Sequence, residues 1–224
     1  MLSTAEKIEK ILKSVGDGKL KFEGNVLFPA DFEECKKILL SASENHLKIR
    51  IAGKGSQIPY PEDMIIVSTV RLSSDEKIDE ANSTLTIGAG SVYTRLTDIS
   101  TQYMFNLPEY MGTIGGCLAG SKSLESHFEL QNRVLSMKCI LSSGQIVEFG
   151  SESVKDVAGY RIAPLFFGSM GRLGIIAGVT LNLAPMVRAP LSLPSSATKK
   201  VNERHENAVA GKILRAFDPE EILA

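Results

Sequence analysis

Apolar positions in the first part of the chain recur with helical and strand periods in turn. Ile8, Ile11, Leu12 and Val15 share one face of an N-terminal amphipathic helix. Val26 to Pro29 reads as a short strand. Asp31 then stands as an N-cap with Glu34 three residues on, the spacing of a capping box. The helix that follows turns Phe32, Cys35, Ile38, Leu39 and Ala42 to one side. Leu47 to Ala52 alternates as a strand, GKGSQIPYP forms a loop, and Met64 to Val70 is a second β-branched run. A β-α-β-loop-β order of this kind predicts a small parallel sheet.

The pattern changes after a polar, turn-rich stretch at 75–83. Thr84 to Ala89 alternates with period two, and Ser91 is placed to cap a helix whose face is Val92, Leu96, Ile99 and Tyr103. Arg133 to Leu141 and Gln145 to Phe149 form a hairpin about Ser143-Gly144. A last strand runs from Leu173 to Leu183, a proline- and serine-rich linker covers 186–200, and Asn202 to Phe217 closes the chain as a helix. The expected fold class is therefore α+β. Residues 1–78 make an N-terminal αβ lobe, 79–187 a second and larger lobe with an antiparallel sheet, and 188–224 the linker and C-terminal helix. No internal repeat is present.

Composition narrows the function. The 224 residues carry 25 Lys+Arg against 26 Asp+Glu, a formal charge of −1, so the basic excess needed for nucleic-acid binding is missing. The most apolar run, Gly174 to Pro185, contains Asn182 and is shorter than the roughly 20 residues of a membrane span. Glu6 and Glu9 interrupt the N-terminus, so no signal peptide is expected. Cys35, Cys117 and Cys139 form no CxxC pair, and His46, His127 and His205 have no ligand spacing. Neither a metal site nor a disulfide framework is expected, and a cytoplasmic location fits.

Glycine supplies the positive clue, because it clusters. Gly53-Lys-Gly55 follows a strand, as a dinucleotide loop does, but Ile58, Pro59 and Pro61 break the Rossmann fingerprint and prevent a long helix from starting there. Gly88-Ala-Gly90 fails at Tyr93. GKGSQ can still bind a diphosphate through consecutive N–H groups, aided by Lys54 and Ser56; a tight turn between strands is the alternative. A second cluster, LPEYMGTIGGCLAGSKS at 107–123, offers a small-residue surface suited to a flat ring or a diphosphate. The third, VKDVAGYRIAPLFFGSMGRLGII at 154–176, places Lys155 and Asp156 beside Gly159 and Tyr160. No GxSxG elbow or Ser/His/Asp spacing points to a hydrolase.

In this order the clusters resemble the FAD-binding module of the vanillyl-alcohol oxidase (PCMH-type) fold, and within it the FAD-linked oxidases of the glycolate oxidase type. IRIAGKGSQ is similar to that family's pyrophosphate strand and loop, and TIGAGSVYTRL to the opening of its second lobe. LPEYMGTIGGCLAGSKS and SVKDVAGYRIAPLFFGSMGRLGII follow in register, and KILRAFDPEEIL is similar to its ending. The resemblance implies a two-lobed fold and non-covalent FAD. It places the diphosphate on Gly53, Lys54, Gly55, Ser56 and Gln57. The flavin and ribityl region would lie along Pro108, Thr113, Gly115, Gly116, Ala119 and Ser121, and Lys155, Asp156, Gly159 and Tyr160 would pass near the isoalloxazine. It implies flavin-dependent oxidation of a 2-hydroxy acid, with electrons passed to a partner. The partners implied are other oxidase subunits (a longer flavoprotein, an iron–sulfur subunit) or further copies of this chain.

Three departures from the family pattern stand out. Asp156 and Arg161 replace the usual Asn and Asp, and Met170 stands where relatives often carry Glu. About thirty residues separate Pro185 from Phe217, fewer than the ~50 of an independent domain, so no substrate (cap) domain is expected. A catalytic base is not evident. A non-catalytic structural or regulatory subunit that keeps the fold is the alternative reading.

Overall fold

A computed structural model of the chain describes residues 3–16, 20–55, 61, 63–73, 76–103, 107, 109–120, 130–150, 162–184 and 203–224. Two sheets form it. The first has the order β1-β2-β4-β3, from β1 (Lys21–Glu23), β2 (Val26–Phe28), β3 (Ile49–Ala52) and β4 (Ile65–Ser68). β2, β4 and β3 run parallel, as the β-α-β-loop-β pattern predicts, and β1 adds an antiparallel edge that the pattern does not reveal. All three β1 residues are exposed, so no burial alternation marks them.

The second sheet, order β5-β6-β9-β7-β8, is antiparallel throughout: β5 (Lys77–Asp79), β6 (Thr84–Gly88), β7 (Val134–Ile140), β8 (Ile146–Gly150) and β9 (Ile175–Asn182). β5 lies inside the polar stretch 75–83 and spans position 78.

Helices cover these sheets with the faces their sequences offer. α1 (Thr4–Val15) starts at a full Ser3/Glu6 capping box and buries Ile8, Ile11 and Val15 against α2 (Phe32–Glu44). The Asp31 carboxylate accepts from Glu34 N at 2.8 Å, while the Glu34 carboxylate accepts from Ala30 N at 2.7 Å, so the expected box closes one residue early. α2 buries Cys35, Ile38, Leu39 and Ala42 against β3 and β4, residues worth roughly 1.5–3 kcal/mol each for the larger side chains. α3 (Thr94–Gln102) begins later than the sequence predicts. Ser91 does not cap it; its carbonyl accepts from Ile114 N instead, and Val92 pairs with Thr113 in an isolated bridge.

The sheets share a core. Ile140, Ile175 and Ala177, from β7 and β9, pack in the same cluster as α2 and β3. β9 is therefore buried on both faces, which explains its unbroken apolar run. The chain ends in this cluster as well. After α5 (Glu203–Phe217), the buried Asp218 carboxylate accepts from Ile222 N at 3.1 Å and Leu223 N at 2.8 Å. The tail so turned lies along β3: Ile49 N donates to Ile222 O and Ala224 N to Ile49 O. Helix and tail thus bridge both lobes.

Candidate functional site

The C-terminal end of β3 opens into a shallow, solvent-open cleft, with the start of the expected diphosphate loop on one wall and the second glycine cluster on the other. On the first wall are Ala52, Gly53, Lys54 and Gly55. Two buried hydroxyls at the end of β4 hold this turn: Ser68 Oγ donates to Gly53 O at 2.9 Å and Thr69 Oγ1 to Ala52 O at 3.2 Å. Gly55 has φ +74, the left-handed region that glycine enters at no steric cost. Among the described residues nothing accepts from the N–H of Lys54 or Gly55. With carbonyls tied back and donors unspent, this wall has the polarity an anion needs.

The second wall contains Tyr110, Gly112, Thr113, Gly116, Ala119 and Gly120, with Met170 at its rim. The glycines of this small-residue surface do not announce a helix, yet part of it folds as α4 (Ile114–Ala119), N-capped by Thr113 Oγ1, which accepts from Gly116 N at 3.1 Å. Its backbone donors are already used. Ile114 N bonds Ser91 O, Gly115 N bonds Ala89 O at 2.8 Å, and Cys117 N bonds Thr113 O. The carbonyls of Leu118 and Ala119 accept from Gly168 N and Met170 N, so the third glycine cluster closes the far end of α4. Met170 makes this contact with φ +57, a conformation costing a non-glycine residue about 1 kcal/mol or more.

Space explains most of these glycines. A Cβ on Gly53 would lie closer than 3.0 Å to Thr113 Oγ1, so the two walls meet there. A Cβ on Gly115 would come within 3.1 Å of Ala89 Cβ, which accounts for that glycine by packing away from the cleft. Gly112 gives way to the Tyr110 ring, with a Cβ there 2.8 Å from Cζ and 2.9 Å from Oη. Tyr110 itself stacks edge-on against buried Tyr93, ring centroids 5.3 Å apart. Burial, with the nearby Cys117 thiol, pushes its phenol up to about 12. Cys117 is also pushed up to about 12, by burial against a smaller opposing contact from the Tyr93 hydroxyl; it is a protonated core thiol.

The structure thus brings together Gly53, Lys54, Gly55, Thr113, Gly116 and Ala119 on one cleft, and sets Gly115 behind it. Ser56, Gln57, Pro108, Ser121, Lys155, Asp156, Gly159 and Tyr160 lie outside the described residues. Sequence reasoning missed Tyr110 and the tethers Ser68 and Thr69. The glycine two residues after Tyr110 and the Ser-Thr pair ending a strand were the available signals. Among the described residues no cluster of His, Cys, Asp or Glu could hold a metal ion, and no helix is long and apolar enough to cross a membrane.

A two-lobed α+β module with a diphosphate-type turn facing a glycine-rich wall defines a nucleotide-cofactor domain of the PCMH-type flavoprotein class. The family described as "FAD binding domain" matches residues 25–150, and the chain belongs to it. The chain is 30% identical over 176 residues to D-lactate dehydrogenase of Archaeoglobus fulgidus, covering 73% of this chain and 39% of that protein. It is 28% identical over 173 residues to glycolate oxidase subunit GlcD of Bacillus subtilis, covering 71% and 37%. With mitochondrial D-2-hydroxyglutarate dehydrogenase of Bos taurus it shares 27% identity over 210 residues, covering 86% and 38%. The chain therefore spans about two fifths of the length of these relatives. A solved structure of alkyldihydroxyacetonephosphate synthase superposes with a TM-score of 0.55 at 21% identity, over 70% of this chain and 31% of that one; the likeness is one of fold.

FAD is the cofactor of this domain, and the cleft suits it. The first wall offers backbone donors and the Lys54 ammonium for a diphosphate, and the second offers small side chains and one phenol for the flat part of the molecule.

Proposed function

We propose that the protein is an FAD-dependent oxidoreductase subunit that takes part in oxidising a small 2-hydroxy acid and passes the electrons to a partner subunit. The observation that carries this reading is the cleft, whose two walls answer the two chemistries of FAD. The relatives support the substrate class, since lactate, glycolate and 2-hydroxyglutarate share a hydroxyl beside a carboxylate. When bound, FAD would take up the substrate's hydride, which carries both electrons of the oxidation.

The chain's own part is to bind and orient. Lys54 and the N–H groups of Lys54 and Gly55 would hold the diphosphate, with Ser56 and Gln57 extending that loop. Thr113, Gly116 and Ala119 would line the ribityl and ring portion, joined by Pro108, Ser121, Lys155, Asp156, Gly159 and Tyr160. No general base for the substrate hydroxyl stands among the described lining residues, since Tyr110 keeps its proton to about pH 12. The substrate site is therefore completed by other residues of this chain or by a partner: a longer flavoprotein subunit, an iron–sulfur subunit, or a second copy.

The test is the visible spectrum of the purified chain, followed by anaerobic addition of glycolate or D-lactate. A yellow protein with about one FAD per chain, bleached by the acid only with a partner subunit present, is the expected result. A colourless protein that takes up no FAD overturns the reading in favour of a non-catalytic subunit. Bleaching of the isolated chain would remove the need for a partner at the substrate site.

A further inference from the structure

Both walls of the cleft are braced from behind, and one short segment reaches both braces. Phe217, at the end of α5, sets its ring edge-on against Phe166, centroids 5.7 Å apart, and Ile213, Leu214 and Phe217 pack on the core of the second sheet. Ser142 Oγ, on the same lobe, donates to Phe217 O at 2.9 Å. By Ile222 the chain lies on the other lobe. Ile222 and Leu223 are buried in the cluster of α2 and β3, Ile49 N donates to Ile222 O at 2.8 Å, and Ala224 N donates to Ile49 O at 2.9 Å.

Asp218 fixes the turn between these two contacts. It is 4% exposed, its carboxylate accepts from Ile222 N and Leu223 N, and its own N–H donates to Leu214 O at 2.8 Å. Glu221 completes the turn with φ +51, and the Lys48 ammonium donates to its carbonyl. A buried carboxylate that accepts two backbone donors holds the tail in one geometry; removing it leaves both donors unmet.

The braces lead to the cleft. β3 runs from Ile49, where the tail is seated, through Ile51 to Gly53, Lys54 and Gly55. At Ile51 the strand meets the second lobe, since a Cβ on Gly171 would lie 2.9 Å from Ile51 Cβ. Phe166 opens the segment whose Gly168 and Met170 N–H groups close α4 behind the second wall, and its carbonyl accepts from Ser169 N. The tail thus bears on the strand that aims the first wall, and α5 on the segment that supports the second. None of the residues from 213 to 224 lines the cleft.

We infer that residues 217–224 form a positioning clasp for the cofactor site, with Asp218 as its latch, so that seating of the clasp and binding of FAD favour one another. The inference rests on the cofactor assignment and goes beyond it by placing a determinant of affinity outside the cleft. Asp218 is a positioning residue, acting through β3 and Phe217. Linkage makes the coupling reciprocal: whatever a seated clasp adds to FAD affinity, bound FAD adds to the seating of the clasp.

Asp218→Ala in the full-length protein removes the latch and keeps every residue of the cleft. Its FAD Kd, from equilibrium dialysis at a temperature where the apoprotein stays folded, should rise on the order of 10-fold. Asp218→Asn keeps one acceptor oxygen and should recover part of that loss. Ile8→Ala, on the face that α1 turns to α2, also lowers the melting temperature but should leave the Kd unchanged. An unchanged Kd in Asp218→Ala, or an equal rise in Ile8→Ala, overturns the inference.

Hydrogen exchange of the wild-type protein needs no variant and decides the matter if Asp218→Ala does not fold. FAD should slow exchange of the 222–224 amides on the order of 10-fold, and more than it slows those of α1. Tail exchange left unchanged in protein that has bound FAD overturns the clasp while leaving the cofactor assignment standing. A wild-type chain that binds no FAD overturns both.

Discussion

The two walls of the cleft are both rich in glycine, and the glycines do opposite things. On the Gly53–Gly55 wall, hydroxyls from β4 tie back the carbonyls and leave the N–H groups of Lys54 and Gly55 unspent among the described residues. On the Gly112–Gly120 wall the N–H groups of residues 114–117 are used in the fold, and missing side chains make room for Ala89, Thr113 and Tyr110. The first wall keeps backbone donors at Lys54 and Gly55 for a ligand; over 114–117 the second wall does not. Glycine in a loop signals close approach, and what approaches must be found in space.

The largest effect expected is on the joint beneath the second wall. A Cβ on Gly90 would lie 2.9 Å from Leu72 C and closer still to Thr69 O, both backbone atoms that cannot swing aside. Gly90→Ala should destabilise by about 3 kcal/mol, read by denaturant titration. A stable, FAD-replete Gly90→Ala protein would mean that the walls are joined less rigidly than the packing implies.

Gly53→Ala comes next. Its new atom meets Thr113 Oγ1, a side chain, so we expect ~2 kcal/mol and roughly 30-fold weaker FAD binding. Adding Thr113→Ala should recover at least about 1 kcal/mol in a double-mutant cycle. No recovery would show that Gly53 answers to the cofactor and not to the opposite wall.

Lys54→Gln tests the donor wall by charge. FAD affinity should fall about 3- to 10-fold, and the difference should shrink at high salt, with the melting temperature unchanged. The same loss from a neutral substitution on the second wall, independent of salt, would sharpen the contrast between them. Ser68→Ala is expected to cost about 1 kcal/mol in stability through its lost tether to Gly53 O.

The smallest effect at neutral pH concerns the thiols. Burial pushes Cys35 on α2 and Cys117 on α4 up to about 12 from an ordinary 9.0. The native state then holds these protons more tightly than the unfolded chain. Their contribution is intact below about pH 9 and is lost as pH rises from there toward 12. Unfolding free energies should be flat through neutral pH and fall above 9. Alkylation in mild denaturant, Cys35 against Cys117, reports which lobe opens first.

Much of the fold was legible from local pattern. The α1 and α2 faces, the parallel strands β2, β3 and β4, and the hairpin β7–β8 all follow from periods that one segment carries by itself. Three-residue edges did not, because β1 and β5 bury too little to alternate. Ser91 misled because a good N-cap residue was taken up by a bridge to the second wall. At the site, Lys54 and the loop it sits in were legible; Tyr110 was not, since its place depends on which glycines surround it.

Local pattern was enough for the alternation of strands and helices, for the loop after β3 that no Rossmann helix can follow, and for the order of the glycine clusters. These are properties of short segments, set by backbone sterics and side-chain period. Which glycine opposes which neighbour, which N–H groups stay unspent, and the return of residues 222–224 to β3 emerge only when the lobes pack. Those outcomes depend on contacts between residues tens to more than a hundred positions apart, such as Gly53 with Thr113 and Ile49 with Leu223. No local pattern encodes them.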